Sequence, residues 1–453
     1  MRNDMTTGCE WKQILLFSFP IMAGSLLQQL YNTVDGIVVG NYVSENALAA
    51  VGTCASMTMV FLAIAMGMSS GAGIMVAQYF GAGQLSDLRR SVSTTIILNT
   101  FFGVVLSFIG WFAAEWFLSS ILGISDPEIL EMAAIYFKIY ALGLIFQFVY
   151  NIIASILRAV GDSKATLYFL CVAAVMNLVL DLVFVIVFHW GVAGAAIATV
   201  ISQAACAIVS WIYMVKKHTI FRFAKGEFAF DRAKCLTCLR LGIPTTLQHC
   251  VVSFSHVFIQ RLVNSFGSVS MAAFTVGNRV ENYVLIPIFG FNTGLATFTG
   301  QNVGAGKPER VRRGLRGILI ISAITCIAIS ALTYIFAGPL TALFGVSGEA
   351  MARAVEQIRY ISIFFVIFAI YMPTNGLLQG AGDVVFATIV TLSTILVRVF
   401  AAYTLLYAFN WGYGVAWQTM PMGWSVALVL VMYRFFSGKW QAKSLINKTA
   451  GEA

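Results

Sequence analysis

Charge is what this sequence has least of. Only 10% of its 453 residues are Asp, Glu, Lys or Arg, against about 25% in a soluble globular domain, so a water-facing fold is excluded. The chain has no G-x-x-x-x-G-K-[ST] phosphate cradle. Its nearest glycine-rich turns, Gly81-Ala-Gly83 and Gly304-Ala-Gly306, read as left-handed ends of long helices. No loop is long enough to hold a nucleotide domain, so ATP hydrolysis on this chain is not its energy source. The eight cysteines are scattered. Cys235 and Cys238 form a lone C-x-x-C with neither a second pair nor suitably spaced histidines, so neither a metal centre nor a redox centre is expected. No nucleophile–base pair is evident, no cofactor is expected, and the chain is read as not an enzyme. Strand-length segments of alternating polarity are missing, which argues against a β-barrel. A cleavable signal peptide is not apparent either.

What fills the space is hydrophobic sequence, 59% of the chain. It falls into runs of about 20 or more residues separated by short polar loops, the pattern of a polytopic α-helical membrane protein. About twelve helices are predicted, over 13–38, 47–78, 92–117, 132–157, 165–188, 191–215, 236–264, 270–300, 315–337, 357–378, 385–408 and 412–435. Lys and Arg collect in alternate loops: Arg89 and Arg90, Arg158 and Lys164, Lys216 to Lys234, Lys307 to Arg316, and the C-terminal tail. The positive-inside rule therefore puts both termini on the cytoplasmic side of an inner membrane. The net charge of +9 is spent on those loops, so nucleic acid is not an expected partner. Membrane lipid is.

The sequence also repeats itself. Ala77-Gln-Tyr-Phe-Gly-Ala-Gly83 returns as Gly300-Gln-Asn-Val-Gly-Ala-Gly306, Leu122-Gly-Ile-Ser125 as Phe344-Gly-Val-Ser347, Leu157-Arg-Ala-Val-Gly-Asp162 as Leu378-Gln-Gly-Ala-Gly-Asp383, and Pro20 as Pro244. All keep nearly one offset (81 to 304, 161 to 382, 20 to 244). Two homologous six-helix bundles follow. Because six is even, they enter the membrane from the same side, as parallel repeats. The expected domains are an N-terminal bundle over 1–215, a cytoplasmic linker over 216–235 and a C-terminal bundle with its tail over 236–453. The linker's Ile220, Phe221, Phe223, Phe228 and Phe230, set among basic residues, suit either an amphipathic segment on the inner leaflet or a solvated loop.

Polar residues inside the apolar runs are the functional candidates, because an ionised side chain at mid-bilayer costs about 2.5–3.5 kcal/mol on insertion scales. Gln28, Tyr31, Asn32 and Asp35 fall on one face of the first helix at three- and four-residue spacing. Asn177 and Asp181 are an i,i+4 pair on helix 5, and Thr199 and Gln203 another on helix 6. These are hard oxygen donors, suited to Na⁺ or a proton. A purely structural role, in which a buried Asp locks helix packing, stays open. The second half carries something else. By the repeat offset, Asn177 maps to Arg398 and Asp181 to Ala402, so the acidic cluster occurs once. In its place stand His249 and His256, Gln260, Arg261, the run Asn278-Arg-Val-Glu281, and Arg398. Glu281 is expected to pair with Arg279, Arg398 or Arg261, with substrate binding or gating as the other role.

The pattern Pro20…Tyr31-Asn-Thr-Val-Asp35…Gly40, then Ala49-Ala-Val-Gly52, Gln78-x-x-Gly81-Ala-Gly83 with its echo at Gln301, and Asn177-x-x-x-Asp181 with Thr199 resembles the multidrug and toxic compound extrusion (MATE) family, DinF-like branch, over nearly the whole chain. The resemblance implies alternating access around a central cavity and export of drug-like, often cationic, compounds in exchange for H⁺ or Na⁺. It assigns Asp35, Asn177, Asp181 and Thr199 to the cation-coupling site and Pro20 to a hinge in helix 1. Gln28, Tyr31, Asn32, Gln203, Gln248, His256, Glu281 and Arg398 are candidates for the substrate cavity. A monomer acting on small organic molecules is expected. The alternative is a flippase for lipid-linked or phosphate-bearing substrates, for which Arg261, Arg279 and Arg398 speak and the acidic cluster does not.

Overall fold

The computed structural model describes residues 4–42, 45–122, 124, 126–223 and 227–446, without the side chains of 31–42, 45, 48, 56 and 121. Every regular element among them is helical, as a backbone in hydrocarbon requires, since helices satisfy their own N–H and C=O groups. In order these are α1 (Glu10–Tyr42), α2 (Glu45–Gly81), α3 (Leu85–Trp116), α4 (Pro127–Ala159), α5 (Ser163–Asp181), α6 (Gly191–Lys217), α7 (Arg232–Asn264), α8 (Ser268–Val284), α9 (Ile286–Gly304), α10 (Pro308–Ile335), α11 (Ala337–Ala342), α12 (Gly348–Gly380), α13 (Val384–Phe409), α14 (Val415–Gln418) and α15 (Met420–Phe436). Ten helices among the described residues are long and apolar enough to cross a membrane. Two more complete the expected twelve. One is α7, whose Arg240, His249, His256 and Arg261 dilute its hydropathy. The other is the predicted helix over 270–300, which is broken at Leu285 into α8 and α9, with Pro287 at the start of the second piece. Proline has no N–H to give and prefers a first turn, so the break falls where it is tolerated.

The repeat is visible element by element. α1 and α7 are 33 residues each, each with an internal proline, Pro20 or Pro244. α4 and α12 are also 33 residues each. The Gly-Ala-Gly turns end α2 and α9 as expected: Gly83 has φ +71° and Gly306 φ +69°. The amide after each closes back on the helix, Gln84 N–H to Tyr79 O at 3.1 Å and Lys307 N–H to Asn302 O at 2.8 Å. This is the six-to-one bond of a left-handed helix cap.

The described residues form two compact units, one within 23–246, the other within 4–22 and 247–446. Each is built around its fourth long helix. In the first unit α4 packs on α2, α3 and α6. In the second α12 packs on α8, α9, α10 and α15. The first turns of α1 belong to the second unit and those of α7 to the first, and in both helices the change comes two residues after the proline, at Met22 and Thr246.

The seams that hold these turns are equivalent. In the first unit a Cβ on Gly67 would lie 2.4 Å from the Thr246 Cα, and one on Gly71 2.5 Å from the Gly242 nitrogen. In the second unit a Cβ on Gly290 would lie 2.4 Å from Met22 Cγ, and one on Gly294 2.1 Å from Ser18 Oγ. Small residues let helix backbones approach where lipid supplies no hydrophobic drive. Polar bonds finish each seam: Lys234 Nζ meets Tyr79 Oη at 2.7 Å and Asp87 at 2.8 Å in the first unit. In the second, Met5 N–H donates to Gln301 Oε1 at 2.9 Å, and Arg310 pairs with Glu10 at 3.3 Å.

Repeat-related aspartates close the far ends of α4 and α12. Asp162 accepts from the Ala165 amide at 3.2 Å and from Tyr213 Oη at 3.0 Å, and meets His218 Nε2 at 3.0 Å. Burial by itself would push this carboxyl up, but the bonds from His218, Ala165 and Tyr213 together hold it below the usual carboxylate range. Asp383 instead accepts from Arg434 Nε at 2.5 Å. The segment between the halves is strapped to the start of α3. Arg89 Nε donates to Ile220 O at 3.0 Å, and Ser93 Oγ to Ala229 O at 2.8 Å. Phe221 is buried there, while Phe228 and Phe230 are exposed. Cys235 and Cys238 are free, buried thiols.

These seams predict unequal costs for adding one methyl group. Gly71→Ala pushes against backbone, which cannot swing aside, and should destabilise by about 1–3 kcal/mol. Gly294→Ala meets a serine hydroxyl that can rotate away and should cost less. Gly52→Ala, with nothing among the described residues within 4 Å of its Cβ, should be neutral or stabilising by about 1 kcal/mol. Thermal unfolding in detergent, followed by tryptophan fluorescence, checks the order.

Candidate coupling site

The first unit holds a membrane-embedded polar cluster built on a carboxylate. Its base is Asp181, the last residue of α5. Directly after it the chain winds a π-helical turn over Leu182–Val187, which closes with Phe188 N–H to Val183 O at 2.9 Å. Such wide turns tend to sit at functional sites. Asp181 is 1% exposed, Asn177 1% and Thr199 7%.

The Asn177 carboxamide settles the cluster's geometry. With its NH₂ toward the carboxylate it donates to Asp181 Oδ2 at 2.6 Å, and its oxygen accepts from the Thr199 N–H at 3.3 Å. The opposite orientation leaves only a 3.4 Å contact to Thr199 Oγ1. We assign the first, because it gives each pole of the amide a complementary partner. Thr199 Oγ1 donates to Ala195 O at 3.0 Å, within its own helix. The expected i,i+4 pair on α5 is therefore a direct hydrogen bond, and α6 docks on it through Thr199.

Beside this cluster is a cavity of about 110 Å³ between α1, α4, α5 and α6. Its polar lining is Gln28, Gln147, Tyr150, Asn177, Thr199, Ser202 and Gln203. Drug-sized ligands occupy roughly 300–1,000 Å³, so this chamber suits an ion or a few waters. Gln28 and Gln203, expected among substrate-cavity residues, both border it. Gln147, Tyr150 and Ser202 are additions that sequence reasoning missed. The spacing of Gln147 and Tyr150 on the polar face of α4 was the available signal, hidden because both look like ordinary bundle residues. Tyr31, Asn32 and Asp35 lie in the stretch of α1 whose side chains are outside the described residues. Pro20 is buried in the helical course of α1, within the second unit.

The second-half candidates do not form a matching cluster. Gln248 is buried in packing: it donates to Thr391 Oγ1 at 2.8 Å and accepts from Gln379 at 3.4 Å. Glu281 on α8 and His256 on α7 both feel the charge of Arg398 on α13. Glu281 forms no direct ion pair among the described residues, so the expected pairing is present only as a longer-range attraction to Arg398. Arg261 and Arg279 are exposed. No three His, Cys, Asp or Glu side chains converge to hold a metal among the described residues.

A many-helix bundle with a carboxylate buried in one transmembrane helix, next to a small polar chamber, defines a membrane transporter. The comparisons agree on the class and narrow it. The MatE family model matches twice, over 20–183 and 244–404, each copy beginning at one of the paired prolines. The chain therefore belongs to the MATE family of multidrug efflux transporters. It is 29% identical over 449 residues to the probable multidrug resistance protein YpnP of Bacillus subtilis, covering 98% of this chain and 99% of that one. It is 25% identical over 362 residues to the FAD transporter of Shewanella oneidensis, covering 77% and 78%. A solved MOP superfamily transporter from Pyrococcus furiosus superposes with a TM-score of 0.91 at 25% identity, over 98% of this chain and 99% of that one. Proteins of this family are transporters rather than enzymes and need no cofactor.

The cluster makes a testable energetic claim. Asn177→Leu should destabilise by about 1–3 kcal/mol, because it strips a hydrogen bond from a buried carboxylate. Adding Asp181→Leu to it should recover part of that loss, since removing both partners leaves less polarity unsatisfied. A thermal-unfolding double-mutant cycle in detergent, showing the double variant more stable than Asn177→Leu alone, confirms the coupling.

Proposed function

We propose that this protein is a secondary antiporter that exports drug-like, cationic organic compounds in exchange for H⁺ or Na⁺ by alternating access. The single observation that carries the reading is the buried Asn177–Asp181–Thr199 cluster beside a chamber of ion size. A carboxylate in low dielectric gains most by taking up a cation, whether a proton or Na⁺. Asn177 supplies the amide that holds Asp181 in place, and Thr199 fixes that amide against α6. Asp35 is assigned to the same site and Pro20 to the hinge of α1. A cation entering from outside neutralises the carboxylates and favours the state that has released substrate, and substrate entering from inside favours the other. The coupling is competition between ligands for two conformations.

The energetics bound the cargo. One charge moving down 100 mV supplies about 2.3 kcal/mol, enough for roughly fifty-fold accumulation of a neutral compound. One-for-one exchange of a monovalent cation for a proton or Na⁺ cancels the potential, leaving only the chemical gradient or a second ion to drive export. The distribution of Lys and Arg supports insertion in the cytoplasmic membrane with both termini inside. The second reading is transport of an anionic or phosphate-bearing cargo. It is favoured by Arg398 in the membrane and by the similarity to a transporter named for FAD.

Proteoliposomes loaded with ethidium decide the first reading. An imposed H⁺ gradient or, separately, a Na⁺ gradient should drive efflux, and one of the two should suffice. Asp181→Asn and Asp35→Asn should each lower the gradient-driven rate at least tenfold. Efflux indifferent to both gradients overturns antiport, and a normal rate in Asp181→Asn removes that residue from the coupling site.

A further inference from the structure

The two units place opposite chemistry at one structural position. Asn177 is the fifteenth residue of α5, and Arg398 is the fifteenth of α13, its repeat partner. Both therefore stand roughly 21 Å along their helices at 1.5 Å per residue. In the first unit the surrounding cluster is acidic. In the second the equivalent of Asp181 is Ala402, fully buried, and the equivalents of Thr199 and Gln203 are Met420 and Trp424, also buried. The carboxylate that would pair with a cation here has been replaced by a methyl group.

Arg398 is consequently under-bonded. A guanidinium carries five N–H donors and stays charged in any protein environment. The hydrogen bond its side chain makes is Nη2 to Ala416 O at 3.5 Å, the outer limit for such a contact. Its Nε is buried without an acceptor among the described residues. Glu281 attracts it from beyond ion-pair distance, and His256 stands within its field. Packing alone is a poor account of this arrangement. Arg398 is only partly buried, so part of its guanidinium is open to a ligand while its Nε is not, and an intramembrane charge points to transport chemistry by default.

We propose that Arg398 is an anion-receiving group of the second unit, and that the compounds this transporter binds include organic zwitterions or anions whose carboxylate it takes. The assignment rests on the export reading above and names a substrate class for it. The planar guanidinium accepts a carboxylate through two parallel N–H···O bonds, filling the idle Nε. Glu281 is then the internal competitor, holding Arg398 at longer range when no anion is present.

A matched pair of dyes tests this directly: rhodamine 110, which carries a free carboxylate, and rhodamine 123, its methyl ester. Binding to the purified full-length protein is followed by fluorescence polarisation. Wild type should bind both. Arg398→Gln should weaken rhodamine 110 about tenfold or more and leave rhodamine 123 within about twofold. Arg398→Lys should restore part of the free-acid binding, and Glu281→Gln should strengthen it. Equal loss of both dyes in Arg398→Gln, with no rescue by lysine, makes the residue structural and overturns the assignment. Wild type binding only the ester overturns the assignment and leaves the export reading standing. Wild type binding neither dye overturns both.

Discussion

A carboxylate buried inside a membrane helix is the constraint from which the rest of this molecule follows. Asp181 cannot shed its cost into water, so its surroundings must meet it. Asn177 does so with a 2.6 Å hydrogen bond, and Thr199 on α6 fixes the asparagine. Those contacts tie α6 to α5, and the π turn that follows Asp181 sets where α5 ends. The same contacts leave beside them a chamber of about 110 Å³, too small for a drug and large enough for a cation. In the proposed antiport, a cation in this chamber would act on Asp181 through Asn177 and Thr199, which line it.

The scaffold around this group is duplicated, and the chemistry is not. Both units rest on a long fourth helix, both end their second helix in a Gly-Ala-Gly cap, and both receive a proline-marked helix start through a glycine seam. A glycine seam is a packing device and tolerates duplication. The polar chemistry inside the membrane is not duplicated: Asn177 and Asp181 stand in one unit, Arg398 and Ala402 at the equivalent positions of the other. The prolines stand where each long helix passes from one compact unit to the other, two residues before the change. A residue without an N–H weakens a helix at the turn before it, so in the antiporter proposed here these are the places where α1 and α7 would bend.

The fold was legible because lipid leaves few alternatives. Apolar runs of bilayer length become helices, and the twelve expected spans are present. The repeat could be read because its glycines do work that other residues cannot, as the left-handed Gly83 and Gly306 show. Breaks inside helices were harder to see. Pro287 was the available sign of the split at Leu285, but proline inside a membrane helix is often accommodated, as Pro20 is. The π turn after Asp181 left no sign in an apolar stretch. At the site, Asn177, Asp181 and Thr199 could be read as polar residues at i,i+4 spacing in oily sequence. Gln147 and Tyr150 could not, because their role depends on which face of α4 turns toward α5 and α6. The second-half charges misled in part: Glu281 was expected in an ion pair, and Arg398 proves to be only its distant neighbour.

In the proposed antiport a cation and the exported compound compete through Asp181. The affinity of the detergent-purified protein for ethidium, measured while pH and Na⁺ concentration are varied one at a time, tests it most directly. The account predicts that affinity weakens as one of the two cations rises, by up to tenfold per tenfold change in cation, and that Asp181→Asn flattens the dependence. Wild-type affinity indifferent to both cations, or a slope that survives intact in Asp181→Asn, would contradict it.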